Sequence, residues 1–384
     1  MCGLASPLDD VLAPLTRLTA LHLLFDSRDE PVPLPASLAQ LIALRELEWE
    51  GFRSEGASPH ELASLLAPLT QLTALNASIV LDASCSLPEL PSLQCLNVCK
   101  VAQGGLVLLA ASCPALVSLV TSWLTPDAGD AAARLPALTS LKARDKCDLS
   151  WGPGAQLSLA GCAPALARLH VYSRSALDPT ALTDRLTGLS QLHLRQAESL
   201  PPLVMGTREW QALAALPALR CFSSCVELAE EDVALAACVS FCAQLTDLRL
   251  TLGGSAPQLR GCVDFAAAMQ ASRVQLCCLS WQVAGDASCE LPTPFYQHLA
   301  SWRCLARLQL GPGGHACTAE QLGILCASPT LVHVVAEPTP RETAGALAQE
   351  LMETHRGKEL EVECWGAGPR IRGGVLHIPG FFLY

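Results

Sequence analysis

The sequence predicts an α/β solenoid, with short parallel strands stacked along one side of a leucine core and helices along the other. Three observations predict it. A pattern apolar-x-x-Leu-x-x-Leu-x-apolar recurs thirteen times in the 384 residues. Its copies stay in phase: the second leucine moves from Leu18 to Leu331 in twelve steps averaging about 26 residues. Self-similarity at a period of ~20–50 residues is the mark of a stacked repeat array. Helix-start chemistry lies between the copies, and an alternation of strand and helix builds a parallel sheet with helices outside it.

The strands come first in the argument. The pattern reads Leu15/Leu18/Leu21/Leu23, Leu41/Leu44/Leu47/Trp49, Leu69/Leu72/Leu75/Ala77 and Leu90/Leu93/Leu96/Val98. It continues as Cys113/Leu116/Leu119/Thr121, Leu135/Leu138/Leu141/Ala143, Ala163/Leu166/Leu169/Val171 and Leu186/Leu189/Leu192/Leu194. Later copies open at Leu216, Cys242, Arg273, Trp302 and Ser328, and a faint last one keeps only Leu360 and Val362. Proline follows the first apolar residue in six copies, at 91, 114, 136, 164, 217 and 329. We read these prolines as strand starts, where a missing amide donor is tolerated.

The helices are marked by their caps. Ser58-Pro59-x-Glu61, Thr318-x-x-Gln321 and Thr339-Pro340-x-Glu342 are capping boxes, in which side chains at the two ends satisfy each other's backbone amides. Asp178-Pro179, Thr125-Pro126 and Thr293-Pro294 read as N-caps followed by proline at the first helical position. Apolar residues then recur at helical spacing, as in Leu62/Leu65/Leu66, Leu106/Leu109, Leu182/Leu186 and Leu322/Leu325.

Period and pattern together resemble the leucine-rich-repeat family over about nine tenths of the chain, since that family repeats every ~20–29 residues. The resemblance implies a horseshoe with parallel strands on its concave face and helices on its convex face. Many members carry an asparagine ladder that hydrogen-bonds the turns. Here the corresponding column reads Asp26, Phe52, Val80, Val101, Leu124, Lys146 and Arg174, and the chain has only Asn76 and Asn97. Buried turn amides need partners, so we expect water or local backbone bonds there, and looser turns. Gly105 to Leu116 (GLVLLAASCPAL) resembles the cysteine-containing repeats of F-box proteins, with a weaker echo at Gly161–Leu166, although no F-box precedes the array.

A solenoid grows in one dimension, each repeat touching its neighbours. We therefore expect one array of 13–14 copies over residues 1–365, then a Gly-rich linker and apolar tail or cap over 366–384. At the start, Met1–Pro14 must cap the array unless a further N-terminal piece does so.

Composition bounds the function. With 51% hydrophobic residues the chain can bury a core, and no apolar run reaches the ~18 residues of a membrane span. A net charge of −11 speaks against general nucleic-acid binding, which wants a basic field. Asp9 and Asp10 stand where a secretory signal would be basic. The 19 cysteines are scattered, with Cys113 and Cys242 on core positions as small hydrophobes. A cytoplasmic protein follows, with a nuclear or ciliary one as alternatives. The sequon Asn76-Ala77-Ser78 falls in a predicted strand and reads as chance.

No catalytic site, metal site or cofactor is expected. GxSxG, GxxxxGK[ST], HExxH and CxxC are missing, and Gly311–Gly314 is a turn. Cys221-x3-Cys225-x12-Cys238-x3-Cys242 has a zinc-like spacing. The repeat frame places Cys221 and Cys225 outward on one strand, Cys238 on a helix and Cys242 at the start of the next strand, so the four cannot converge.

Side chains alternate across a strand, which puts the residues flanking the last two pattern positions on the concave face. They include Glu46, Glu48 and Glu50 near the start, and His22 before them. In copies six to eight they are Ser140/Lys142/Arg144, Arg168/His170/Tyr172 and Gln191/His193/Arg195, and copy ten adds Arg249 beside Asp247. The candidate partner-binding residues are therefore Lys142, Arg144, Arg168, His170, Tyr172, His193, Arg195 and Arg249. They form a basic cluster in an acidic protein, suited to a protein partner with acidic or phosphorylated groups. The reading is a non-enzymatic recognition scaffold, with the F-box resemblance implying the substrate-reading arm of a ubiquitin ligase. The alternatives are a component of a large cytoskeletal or ciliary assembly, or an enzyme regulator; oligomeric state is open.

Overall fold

The computed structural model describes residues 7–24, 35–50, 59–124, 134–147, 163–173, 186–196, 203–228, 232–253, 256–271, 275–284, 291–310, 316–335, 337–338, 361–363, 370–372 and 375–377. The chain divides into two compact units, Met1–Ala197 and Glu198–Tyr384.

The first unit opens with helix α1 (Pro7–Leu12). Eight strands follow: β1 (Ala20–Leu24), β2 (Glu46–Glu50), β3 (Ala74–Leu81), β4 (Cys95–Val101), β5 (Ser118–Leu124), β6 (Ser140–Cys147), β7 (Arg168–Ser173) and β8 (Gln191–Gln196). Each pairs in parallel with the next in chain order. Helices α2 (Pro59–Leu66) and α3 (Gly105–Ser112) lie between strands.

In the second unit β9 (Leu203–Met205), β10 (Cys221–Leu228), β11 (Asp247–Gly253), β12 (Cys278–Ala284) and β13 (Arg307–Leu310) again pair in parallel. A small pair, β14 (Ala316–Cys317) with β16 (Glu337–Pro338), stands apart. The main sheet goes on through β15 (His333–Val335) to β17 (Glu361–Glu363). Two short antiparallel strands, β18 (Arg370–Arg372) and β19 (Val375–His377), then join it. The intervening helices are α4 (Thr207–Ala214), α5 (Asp232–Cys242), α6 (Ala256–Ala271), α7 (Thr293–Ala300) and α8 (Ala319–Cys326). Each unit thus has the parallel-strand-and-helix architecture of a leucine-rich-repeat solenoid.

The pattern has a backbone cause. The amide of the second pattern residue donates to the carbonyl of the first, as in Leu93 to Leu90 and Leu116 to Cys113 (both 3.1 Å) and Leu219 to Leu216 (3.2 Å). This closes a tight turn in which Pro91, Pro114 and Pro217 occupy the second position, where proline's fixed φ fits. The prolines are therefore turn residues and not strand starts; the strands begin further on, at Cys95, Ser118 and Cys221. One carbonyl then receives two amides from the next repeat. Thr73 and Ala74 donate to Arg45 O (2.8 and 3.0 Å), and Gln94 and Cys95 donate to Thr73 O. The same step recurs in the second unit, where Thr246 and Asp247 donate to Arg220 O. Hydroxyls reinforce it: Thr73, Ser190 and Thr246 Oγ donate to the carbonyls of Arg45, Ala167 and Arg220.

The missing asparagine ladder is not replaced by loose turns in the copies where the column is described. Val80, Val101 and Leu124 lie inside strands that run on past the pattern. Pairing there continues as Val80↔Lys100, Lys100↔Trp123 and Val101↔Leu124. Sheet bonds thus occupy the amides that a turn would have left to water. Thr121, fully buried at the last pattern position of its copy, donates its hydroxyl to Trp123 O (2.8 Å).

Pattern residues from Leu41 onward are buried at almost every described position, whereas Leu15 is 43% exposed in the first copy. Thr318 caps α8 as expected, with Gln321 N donating to its Oγ1 (3.3 Å) and Thr318 N donating to Gln321 Oε1 (2.9 Å). Thr293 does not cap α7. The cap is Pro292 and makes no side-chain bond, so Thr293 is the first helical residue. The caps expected at Ser58, Thr125, Asp178 and Thr339 lie outside the described residues. So do Gly161 and Cys162 of the weaker echo, the turn at Gly311–Gly314 and the terminal Phe381–Tyr384, while the rest of that echo is described, with Leu166 N donating to Ala163 O (3.1 Å). Gly105, the glycine of the F-box-like repeat, has a steric reason: a Cβ there would stand 2.7 Å from Leu81 O.

Candidate functional site

Alternation along the strands builds the open face of the sheet. In β10, Phe222, Ser224 and Val226 are buried while Cys221, Ser223 and Cys225 are partly exposed. In the first unit the register carries one outward residue per strand into a single row across eight strands. The row is His22, Glu48, Asn76, Asn97, Val120, Lys142, His170 and His193. A parallel row beside it holds Glu46, Ala74, Cys95, Ser118, Ser140, Arg168 and Gln191.

The expected basic cluster is thus partly assembled by register. Lys142, His170 and His193 are consecutive in the first row, with the two imidazole rings 5.3 Å apart. Arg168 is exposed in the second row. Tyr172 pairs with Arg195 at the far end of β7 and β8, but β6 shifts register against β7 between Ala143 and Cys147, so Arg144 does not continue that line in regular register. The side chains of Arg144, Tyr172 and Arg195 lie outside the described residues. Arg249 is in the second unit, where its Nε lies 3.3 Å from Asp247 Oδ1; much of its charge is already met.

The other end of the row is acidic and hydrogen-bonded. Glu48 Oε2 lies 2.5 Å from His22 Nδ1, and Asn76 Nδ2 donates to Glu48 Oε1 at 2.5 Å. The bond from His22, then that from Asn76, holds the Glu48 carboxyl below the usual range for glutamate. Beside it a shallow groove is lined by Ala74, Asn76, Cys95, Asn97, Ser118 and Val120. Sequence reasoning missed this network. The signal was present: the chain's only asparagines occupy the same pattern position in successive copies and pair in register. On the extended ends of the strands, Lys100 Nζ stands 5.4 Å from the centre of the Trp123 ring, a cation–π contact.

The thiols fall on both sides of the sheet. Cys238 and Cys242 lie one helical turn apart on α5, buried and hydrogen-bonded to each other. Cys242 therefore ends a helix and does not begin the next strand, since β11 starts only at Asp247. Cys221 and Cys225 are on the open face, so the zinc-like spacing divides between two layers. Among the described residues no group of three or more His, Cys, Asp or Glu is placed to hold a metal ion. Burial pushes Cys113 and Cys262 up to about 12, and Cys221 to about 11. Thiols so placed are protonated and inert near neutral pH.

No protein-family model matches the chain, and no curated protein matches it. Solved structures similar to it include an internalin of Listeria monocytogenes, at 16% identity and a TM-score of 0.44 over 80% of this chain and 76% of that one. A leucine-rich-repeat protein of Leptospira interrogans matches at 14% identity and a TM-score of 0.45 over 91% of each chain. Among the described residues no helix is long and apolar enough to cross a membrane.

Proposed function

We propose that this chain is a non-enzymatic recognition scaffold, and that the open sheet face of its first unit binds a protein partner bearing acidic or phosphorylated groups. The observation that carries the reading is the register. It sets Lys142, His170 and His193 side by side with Arg168 on the neighbouring row, on rigid strands whose opposite face is a fully packed leucine core. Strands at ~4.8 Å spacing bring these groups close, and like charges so close gain when an anion lies across them. An Arg guanidinium such as that of Arg168 offers a fork of donors that matches carboxylate and phosphate. Arg249, already paired, has the smaller part.

The net charge of −11 favours a protein over a nucleic acid. The described cysteines are free thiols, which suits the reducing cytoplasm. The resemblance of Gly105–Leu116 to F-box repeats supports the narrower reading of a substrate-reading arm of a ubiquitin ligase. Affinity purification of the full chain followed by mass spectrometry is the test. A partner with an acidic or phosphorylated segment should be held at low salt and released as salt rises. Lys142→Glu with Arg168→Glu should lose it at unchanged melting temperature. Undiminished capture by that variant would overturn the assignment. Ligase subunits among the captured proteins would support the narrower reading, and one large cytoskeletal or ciliary particle at stoichiometric yield would favour the alternative.

A further inference from the structure

The open face of the first unit is electrically polarised along its row, and this goes beyond a basic patch. Strands β1–β3 place Glu46, Glu48 and the His22–Glu48–Asn76 network at one end. Strands β6–β8 place Lys142, Arg168, His170 and His193 at the other. Between them, β4 and β5 contribute neutral residues to these two rows, Cys95, Asn97, Ser118 and Val120, and these line the groove together with His22, Glu46 and Glu48, while Lys100 stands further along β4 over the Trp123 ring. The groove's lining runs across the strands from His22 on β1 to Val120 on β5, and the register neighbour of Val120 on β6 is Lys142, so an occupant that continues across the sheet beyond the groove meets both ends in turn.

We propose that this groove seats an extended segment of a partner protein with a cationic side chain at one end and a carboxylate or phosphate at the other, bound in one direction only. The proposal rests on the reading under Proposed function and adds the opposite pole, the spacing and the direction. From β2 to β7 is five strand steps, or about 24 Å at ~4.8 Å each, and an extended chain covers that in about seven residues. Glu46 is exposed and stands next to Glu48 on the same strand, so the acidic end offers a carboxylate beyond the one His22 and Asn76 engage. Asn76 and Asn97, adjacent in register on the wall of the groove, carry amides that both donate and accept. Such groups match the alternating N–H and C=O of a crossing backbone. Reversing the segment would put like charges against like at both ends, which is how a charged interface rejects a wrong orientation.

The test uses the full chain and labelled synthetic peptides in fluorescence anisotropy at low ionic strength. The bipolar probe has arginines at one end, glutamates at the other and about six neutral Gly/Ser residues between. Comparators are the arginine end alone, the glutamate end alone, and a bipolar peptide with the spacer cut to about two residues. The bipolar probe should bind at least ~10-fold tighter than either single-sign peptide, because the second end engages at high effective concentration. Cutting the spacer should remove that gain. Glu46→Lys with Glu48→Lys should lower the bipolar probe to the level of the glutamate peptide and leave the glutamate peptide unchanged. Glu46→Lys alone, which spares the network, should give part of that loss. Equal binding of the bipolar and glutamate peptides, or undiminished binding with the short spacer, would overturn the inference and leave the acidic-partner reading standing. No binding by any peptide to a folded chain would overturn both.

Discussion

The two units build the same strand and turn, yet they fill the space behind it differently. In the first, Trp49 is the one aromatic ring buried among the described core residues, with Leu44, Leu72, Leu93, Leu116, Leu138 and Leu166 fully buried. In the second, rings take over. Trp210, Phe222 and Phe241 pack on one another with centroids 5.3–6.2 Å apart, and Phe265, Trp281, Phe295 and Tyr296 form a chain of contacts at 5.2–5.6 Å. The second unit is also where helices reach 11 and 16 residues, against 8 for α2 and α3. Longer helical returns leave more volume between helix and strand, and aromatic side chains supply it. The open faces differ as well. The first unit separates its charges along a row, whereas the second neutralises Arg249 beside Asp247 on the same strand. Packing behind the sheet and the placement of charge in front of it thus both differ between the units on one backbone device.

The comparison breaks most readily in the core. Phe222→Ala should cost about 3–5 kcal/mol and Leu138→Ala about 2–5 kcal/mol. Because a solenoid couples nearest neighbours, amide exchange should rise mainly in the repeats flanking each change. Uniform loosening of the whole chain by either variant would contradict two separately packed units. Removing the Thr318 cap is a smaller step: Thr318→Ala should cost ~1 kcal/mol, read from denaturant midpoints, because it breaks the reciprocal bonds with Gln321.

The aromatic unit can be sharpened with its tryptophans. Trp302 Nε1 donates to Ala266 O at 3.1 Å, whereas Trp281 Nε1 is buried with no hydrogen-bond partner. Trp302→Phe should therefore lose ~0.5–1.5 kcal/mol more than Trp281→Phe beyond the packing loss both share. The reverse order would mean that Trp281 has a partner in solution. The smallest effect lies in the polarised face. The Glu48 carboxyl is held down by His22 and Asn76, so what it contributes is present above the ordinary glutamate range and is lost as pH falls through its depressed value. An NMR titration should place its midpoint below that of a free glutamate, and His22→Ala should move it upward.

Much of this was legible in the residues, and the exceptions are instructive. The leucine spacing located every strand from Ala20 to Val335, except β9 and β14, because burial imposes the period directly. The prolines at 91, 114 and 217 were misplaced because a turn and a strand start both tolerate a missing amide; only the Leu93-to-Leu90 type of bond distinguishes them. The asparagine column misled for a related reason. Its absence said which side chain was missing but not that sheet pairing would continue through Val101 and Leu124. The charge rows followed from alternation alone wherever register is regular, at Lys142, His170 and His193. That reasoning stopped at Arg144, where β6 slips against β7. The His22–Glu48–Asn76 network was missed although its positions could be read, since the three residues hold the same outward position in consecutive copies; which of those side chains bond is set by their rotamers and not by the spacing.

The central claim is that recognition belongs to the open face of the first unit, and amide exchange tests it most directly. The full chain would be compared alone and with its captured partner. Protection concentrated in β6, β7 and β8, with little change in β10 to β12, is the predicted result. Protection confined to the second unit, or to helices α4 to α8, would contradict it.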